Sequence, residues 1–337
     1  MSFARKFMMV AVALVAILAI AGCSREVTTV QEVTPAASNC FDCHSDQETY
    51  LIAAGFAWEN SMHASGRVVA RSSSASCAPC HSTDGFIAFT NGDEVVGVDD
   101  PTVIHCFACH QPHSNSNFGL RVDDPTALKD GTVYDIGAGN LCANCHQSRR
   151  NVNDYVFDGV TLSRYFGPHH GPQTDMLFAS NGYEYAAYSY TEKPYHRTLT
   201  ENGCVDCHFD NSNTYAVGGH SFNMKFTDEE EGSEILNMKA CTGCHEDLTD
   251  YDFNMVQTDV DNMANELNAL LQAAGLMDAT GHAMSGVTTS ADSAGAVYNY
   301  LMVHEDRSLG VHNSDYAKGL LDSSIKFIKG ELTPPTP

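Results

Sequence analysis

Positive charge is scarce in this chain. Only 18 Lys and Arg stand against 42 Asp and Glu in 337 residues, for a formal net charge of −24 at pH 7. So acidic a surface cannot neutralise a phosphate backbone, which excludes general nucleic-acid binding. Long apolar runs are scarce too: beyond residues 8–20, no stretch approaches the ~18 apolar residues needed to span a bilayer. Over most of its length the chain lacks hydrophobic periodicity and is rich in Gly, Asn, Asp and Ser, so it reads as loops with short helical turns. Length alone allows two ordinary domains. What the chain has in excess is 13 Cys and 16 His.

The first residues read as an export signal. Arg5 and Lys6 precede the apolar run Met8–Ile20, which ends in Ala21-Gly22-Cys23, a pattern too short for a spanning helix. Ile20–Cys23 resembles the lipobox of bacterial lipoproteins. That resemblance implies cleavage before Cys23, lipid on its sulfur and anchoring in the cell envelope, the outer membrane first. An ordinary signal peptide with an incidental Cys is the alternative. The expected layout is a signal peptide at 1–22, a lipid-anchored linker at 23–38, a body at 39–250, helices at 251–330 and a tail at 331–337.

Setting Cys23 aside, the other cysteines all fall in one pattern. They are Cys40/Cys43-His44, Cys77/Cys80-His81, Cys106/Cys109-His110, Cys142/Cys145-His146, Cys204/Cys207-His208 and Cys241/Cys244-His245. C-x-x-C-H is the attachment motif of c-type haem. Two thiols at this spacing reach the two vinyl groups of a porphyrin, and the adjacent His ligates iron from the proximal side. One such motif would leave zinc binding or a redox dithiol open. Six copies behind an export signal, with no pair left over, point to six covalently bound haems.

Ten His remain: His63, His105, His113, His169, His170, His196, His220, His282, His304 and His312. A low-spin, electron-carrying haem takes a second axial ligand, and neutral imidazole competes with Met for that place. None of the 12 Met has a context comparable to the best His. His113 follows its own motif too closely to fold back over the same haem, and Pro112 turns it towards a neighbouring one.

The stretches at 106–113, 169–177, 204–222 and 305–320 resemble the nitrite-reductase-like multihaem superfamily. Together with the lipobox they also resemble outer-membrane cytochromes of metal-reducing bacteria. The resemblance implies distal ligands at His63, at one of His169 and His170, at His196, at His220 and at His312, with His113 completing six. His105, His282 and His304 are then spare, and His105 is the residue that could displace His63 or His196. One feature of the catalytic members is missing: there is no C-x-x-C-K motif, the variant that leaves an open, Lys-ligated haem.

The expected fold class is mainly α with extensive loops, organised around six haems, with a C-terminal helical bundle. Val256, Val260, Met263, Leu267, Leu270 and Ala274 recur at helical spacing over 254–276. A second helix is expected over 290–304 with Val297, Tyr298 and Leu301 on one face. A third is expected from a cap at Asn313 or Ser314 to about Ile328. In the resembled superfamily such helices also build dimer interfaces, so a homo-oligomer is an open option.

Iron with two imidazoles has no open position, so the expected role is electron transfer rather than substrate turnover. The expected partners are redox proteins or extracellular acceptors, with no nucleic acid. Two alternatives stand beside this. One is a small nitrogen- or sulfur-oxyanion reductase with one open haem, with Arg164, Tyr165, Lys193 and His196 as the polar residues to inspect. The other is a subunit of a conductive cytochrome filament.

Overall fold

The structure, a computed structural model, describes residues 49–112, 118–191, 195–210, 214–230 and 232–332. The signal segment, Cys23, the linker, the first motif (Cys40, Cys43, His44), His113 and Lys193 lie outside the described residues. All described residues fall in the compact unit Cys40–Pro337.

In chain order the helices are α1 (Thr49–Glu59), α2 (Ala78–His81), α3 (Thr83–Asn91), α4 (Cys106–Cys109), α5 (Gly139–Ala143), α6 (Val152–Tyr155) and α7 (Gln173–Leu177). They continue with α8 (Tyr195–Leu199), α9 (Cys204–His208), α10 (Lys239–Thr242), α11 (Val256–Ala273), α12 (Ala291–Asp306) and α13 (Ser314–Ile328). The sheets are three two-stranded antiparallel ladders: Thr126–Ala127 with Val133–Tyr134, Val160–Thr161 with Thr288–Thr289, and Lys225–Thr227 with Glu234–Leu236. The described chain is therefore helix-rich with little sheet, and most helices before α11 are single turns.

The last three helices form where the sequence places them. Ser290 caps α12 by accepting from Ser293 N–H, and Asn313 caps α13 by accepting from Tyr316 N–H. The buried stripe of α11 differs from the expected one: it is Val260, Ala264, Leu267 and Leu271, while Ala274 lies past the helix end and is exposed. Val256, Met263 and Leu270 flank this stripe, so the core-facing direction is rotated by part of a turn from the line the apolar spacing suggests. Ala264 lies in that direction, within the core that α11 shares with α12 and α13.

The largest core joins α11, α12 and α13 to residues from the middle of the chain. Leu267, Leu271, Val297, Tyr298, Leu320 and Leu321 pack with Val152, Val160, Leu162, Phe166 and Met176. The ladder between Val160–Thr161 and Thr288–Thr289 ties the same parts together. Asn299, fully buried on α12, accepts from Tyr183 N–H (2.8 Å) and donates to Tyr183 O (2.8 Å) and Ser324 Oγ (3.1 Å). It pins the Tyr-rich loop to both helices. Gly295 leaves room for the Tyr183 ring, which a Cβ at that position would meet at 2.1 Å. No helix among the described residues is long and apolar enough to cross a membrane.

Candidate haem-binding sites

Each described C-x-x-C-H segment is a single helical turn, or lies at one. Backbone bonds from the motif His back to its first Cys close four of these turns: His81 N to Cys77 O (3.1 Å), His110 N to Cys106 O (2.8 Å), His146 N to Cys142 O (2.9 Å) and His245 N to Cys241 O (2.8 Å). The fifth segment, Cys204–His208, is α9 itself. One turn is what the chemistry asks for, because residues three apart share a helix face and present both thiols to the same side.

The thiols are not equally enclosed. Cys80 and Cys244 are exposed, whereas the other described motif cysteines are half-buried. Cys244 is the sharper departure from six alike cofactor sites. The α10 helix stops at Thr242, so Cys244 lies beyond its end, with exposed Thr242 and Gly243 before it. Cys80, by contrast, follows Pro79, whose carbonyl meets a second motif, as described below. The loop after the sixth motif faces solvent at Glu246 and Asp247, whereas Cys145, equally two residues past the end of its helix, packs against Phe86, Ala108 and Leu141. Cys244 N–H still bonds to Cys241 O (3.1 Å), which keeps the turn closed. Its assignment to haem therefore rests on the C-x-x-C-H spacing and not on enclosure by protein.

Five motif histidines each face a second imidazole from elsewhere in the chain. Ring centroids are 6.1 Å apart for His63 and His146, and 6.2 Å for His81 and His169. They are 6.3 Å apart for His110 and His220, for His196 and His245, and for His208 and His312. A metal about 2 Å from each of two ring nitrogens, themselves about 1 Å from their ring centres, places the centroids about 6 Å apart. The rings thus stand at the separation that an iron with two axial imidazoles needs. Among the described residues no group of three or more His, Cys, Asp and Glu forms a cage for a bare metal ion. The donors come in opposed pairs, which suits a planar ligand with one metal at its centre.

Hydrogen bonds at Nδ1 orient several of these rings so that Nε2 is the free donor atom. His110 Nδ1 donates to Phe118 O (2.9 Å), His208 to Phe222 O (2.9 Å) and His196 to Val311 O (2.6 Å). His146 donates to Gln173 Oε1 (3.2 Å), and His312 to Asp306 Oδ1 (2.6 Å). Outer partners of this kind fix the tautomer and rotation of a ligating imidazole. Burial lowers His63, His169 and His220 to a pKa of about 4, with a neighbouring His or Arg adding to the effect. They are neutral near pH 7, which is the ligating form.

The partners are not those that chain proximity suggests. His63 lies soon after the first motif yet faces the His of the fourth, and His220 reaches back to the third. Of the adjacent pair, His169 faces His81, while His170 turns outward to Glu305 (2.9 Å) with its side chain 67% exposed. His169 has φ 85°, in the left-handed region, and the two rings stay in tilted contact with centroids 4.8 Å apart, so only their outer partners differ. His105 caps α4, its Nδ1 accepting from Phe107 N–H (3.4 Å). His304 stacks on Tyr300, and His282 sits among Asp278, Thr280 and Arg164. Tyr165 is 82% exposed.

The motifs also touch one another, a feature the sequence did not signal. Cys145 Sγ lies 3.7 Å from Pro79 O of the second motif, and the α9 turn of the fifth motif packs on α5 of the fourth. Tyr134 Oη lies 3.5 Å from Cys204 Sγ. Cys109 and Cys145 pack against the Phe86, Ala108 and Leu141 cluster, which brings the third motif beside the fourth. Cys207 and Cys241 lie close enough to interact electrostatically.

No family model matches the chain. It is similar to the c-type polyheme cytochrome OmcB of Geobacter sulfurreducens, 21% identical over 334 aligned residues covering 76% of this chain and 44% of that one. It is also similar to the c-type polyheme cytochrome OmcC of the same species, 23% identical with 76% and 43% covered. The chain thus spans less than half the length of the curated relatives it matches. Among solved structures, the outer cell wall cytochrome OcwA shares the fold with a TM-score of 0.51 and 21% identity, covering 82% of this chain and 50% of that one. The chain resembles multihaem c-type cytochromes.

Proposed function

We propose that the chain is a hexahaem c-type cytochrome that transfers electrons between protein or extracellular partners. The observation that carries this reading is the set of five opposed His pairs, each joining a C-x-x-C-H His to a distant one at 6.1–6.3 Å. The relatives support the coarser statement, a haem-bearing electron-transfer protein. The finer one, six haems with two His each, rests on the motifs and on these pairs. His44 and His113 lie outside the described residues; His44 belongs to the first motif, and His113 is the sixth distal candidate.

Bound haem supplies one-electron redox sites. The protein's own residues fix what those sites can do. Cys pairs at 77/80, 106/109, 142/145, 204/207 and 241/244, with Cys40/43 outside the described residues, would hold the rings covalently. The opposed His pairs would supply both iron ligands, which would favour outer-sphere transfer over binding of nitrite or another small substrate. For the reductase alternative an open iron would have to be sought at the first motif.

Contacts between motifs support an order of haem edges. Cys145 against Pro79 supports the second beside the fourth, α9 against α5 the fifth beside the fourth, and α9 against α10 the sixth beside the fifth. The proposed row is therefore second, fourth, fifth, sixth, with the third flanking the fourth. The envelope location is part of this proposal: the signal-like residues 1–22 and the lipobox-like Ile20–Cys23 support it, as does the likeness to an outer cell wall cytochrome.

The experiment is the mass and ligand reactivity of the purified holoprotein. The reading expects six haem masses per chain and no spectral change of the reduced protein under carbon monoxide. Fewer haems, or a carbon monoxide complex at one iron per chain, would overturn the six-site, two-His account.

A further inference from the structure

Four of the five Nδ1 partners described above are neutral oxygens: three backbone carbonyls and one Gln amide. The exception is His312, which donates to the carboxylate of Asp306 at 2.6 Å, with the Asp306 side chain only 1% exposed. Asp306 ends α12. The turn after it, with Arg307 at φ 61°, Leu309 at φ 51° and Gly310 at φ 91°, folds the chain back so that residue 312 meets residue 306. Ser308 Oγ donates to the other carboxylate oxygen and accepts from His312 N–H at 3.2 Å, closing a small ring of contacts. Gln173 clamps the same corner, donating from Nε2 to the carbonyls of Glu305 (3.0 Å) and Asp306 (3.3 Å). The carboxylate is thus fixed, dry and aimed at a ligand.

A buried negative charge on the outer nitrogen of an imidazole makes the inner nitrogen a stronger donor. It also acts on the iron itself, since ferric haem carries one more positive charge than ferrous haem, and little water lies between to screen the difference. Both effects favour the ferric state. Glu305, the nearby alternative carboxylate, pairs with His170 (2.9 Å) and Arg307 (3.6 Å); it hydrogen-bonds no ring of an opposed pair, and its effect on His169 is outweighed by burial and by Arg149.

We propose that Asp306, acting through His312 as a positioning residue, makes the haem at Cys204–His208 the lowest in potential among the five described sites. This rests on the reading of His208 and His312 as the axial pair of one iron. In the proposed row that haem lies between the fourth and the sixth, so an electron crossing the row passes its least favourable site in the interior. Electrons then collect on either side of it before the middle site fills.

The test is a spectropotentiometric titration of the full holoprotein, followed by low-temperature EPR, for wild type, Asp306→Asn, Asp306→Glu and His312→Ala. Asp306→Asn should shift the lowest reduction step upward, leave the other steps in place, keep every iron low-spin and move the g values of one iron. Asp306→Glu, which keeps the charge, should return that step towards its original place. If Asp306→Asn leaves every step unmoved, the proposal is overturned. His312→Ala separates the two levels: one new high-spin iron upholds the axial pair whatever Asp306→Asn does, and none overturns the pair and the proposal together. If Asp306→Asn does not accumulate as holoprotein, Ser308→Ala carries the test. Removing the hydroxyl that shares the carboxylate's charge should drive the lowest step lower still, and an unmoved step overturns the proposal.

Discussion

His169 and His170 are neighbours in the chain with opposite surroundings. His169, at φ 85°, faces His81 at 6.2 Å, and His170 pairs with Glu305 near solvent. His169→Ala should therefore convert about one iron per chain to high spin and open it to carbon monoxide, whereas His170→Ala should leave every iron low-spin. The sequence carried the pair but not the choice, because tertiary folding decides which ring meets His81 and which meets Glu305. Asp175 illustrates a second residue-scale effect. Its fully buried carboxylate accepts from Ser148 N–H (2.7 Å) and Asn181 Nδ2 (3.1 Å), and burial pushes its pKa up to about 6. The folded chain then holds this proton more tightly than the unfolded chain, so the contribution of Asp175 to stability is present below about pH 4 and is lost as pH rises through about 6. A two-unit shift is worth about 3 kcal/mol. Measured against Asp175→Asn by denaturant unfolding of the holoprotein, wild type should lose about 2–3 kcal/mol of relative stability between pH 4 and pH 7. A flat difference would contradict the assignment.

At the scale of elements, the C-terminal helices were legible because their apolar spacing and caps agree with each other: Ser290 and Asn313 sit where capping chemistry needs them. The direction in which α11 faces its core was less legible. A stripe read from large apolar residues overlooks Ala264, which is buried in the core shared by the three last helices. Leu271→Ala, at a fully buried position, should therefore cost about 2–5 kcal/mol. Ala274→Ser, on the exposed end, should stay within about 0.5 kcal/mol. Equal effects at the two positions in unfolding measurements would restore the stripe expected from sequence. The C-x-x-C-H turns were legible to the residue, since their chemistry is local. How deeply each thiol is enclosed was not: Cys145 and Cys244 both lie two residues past the end of a single-turn helix, yet Cys145 packs against a core cluster and Cys244 is exposed. The pairing of rings was not legible either, because a distal His is set by tertiary folding. His63 and His146 have two other motifs between them in the chain, and nothing in either context names the other.

For the whole molecule, charge and haem number decide behaviour. A net charge of −24 should draw in cationic partners over distances of about one Debye length, roughly 8–10 Å at physiological salt. Stopped-flow reduction by a cationic ruthenium ammine should slow as ionic strength rises, and reduction by an anionic reagent should accelerate. The same sign of salt effect for both reagents would contradict electrostatic steering. The central claim is that His pairs close every iron, which makes this a relay. It is met most directly by low-temperature EPR of the fully oxidised holoprotein with haem quantified. The account predicts low-spin signals alone, integrating to six irons per chain; a high-spin signal approaching one iron per chain would contradict it.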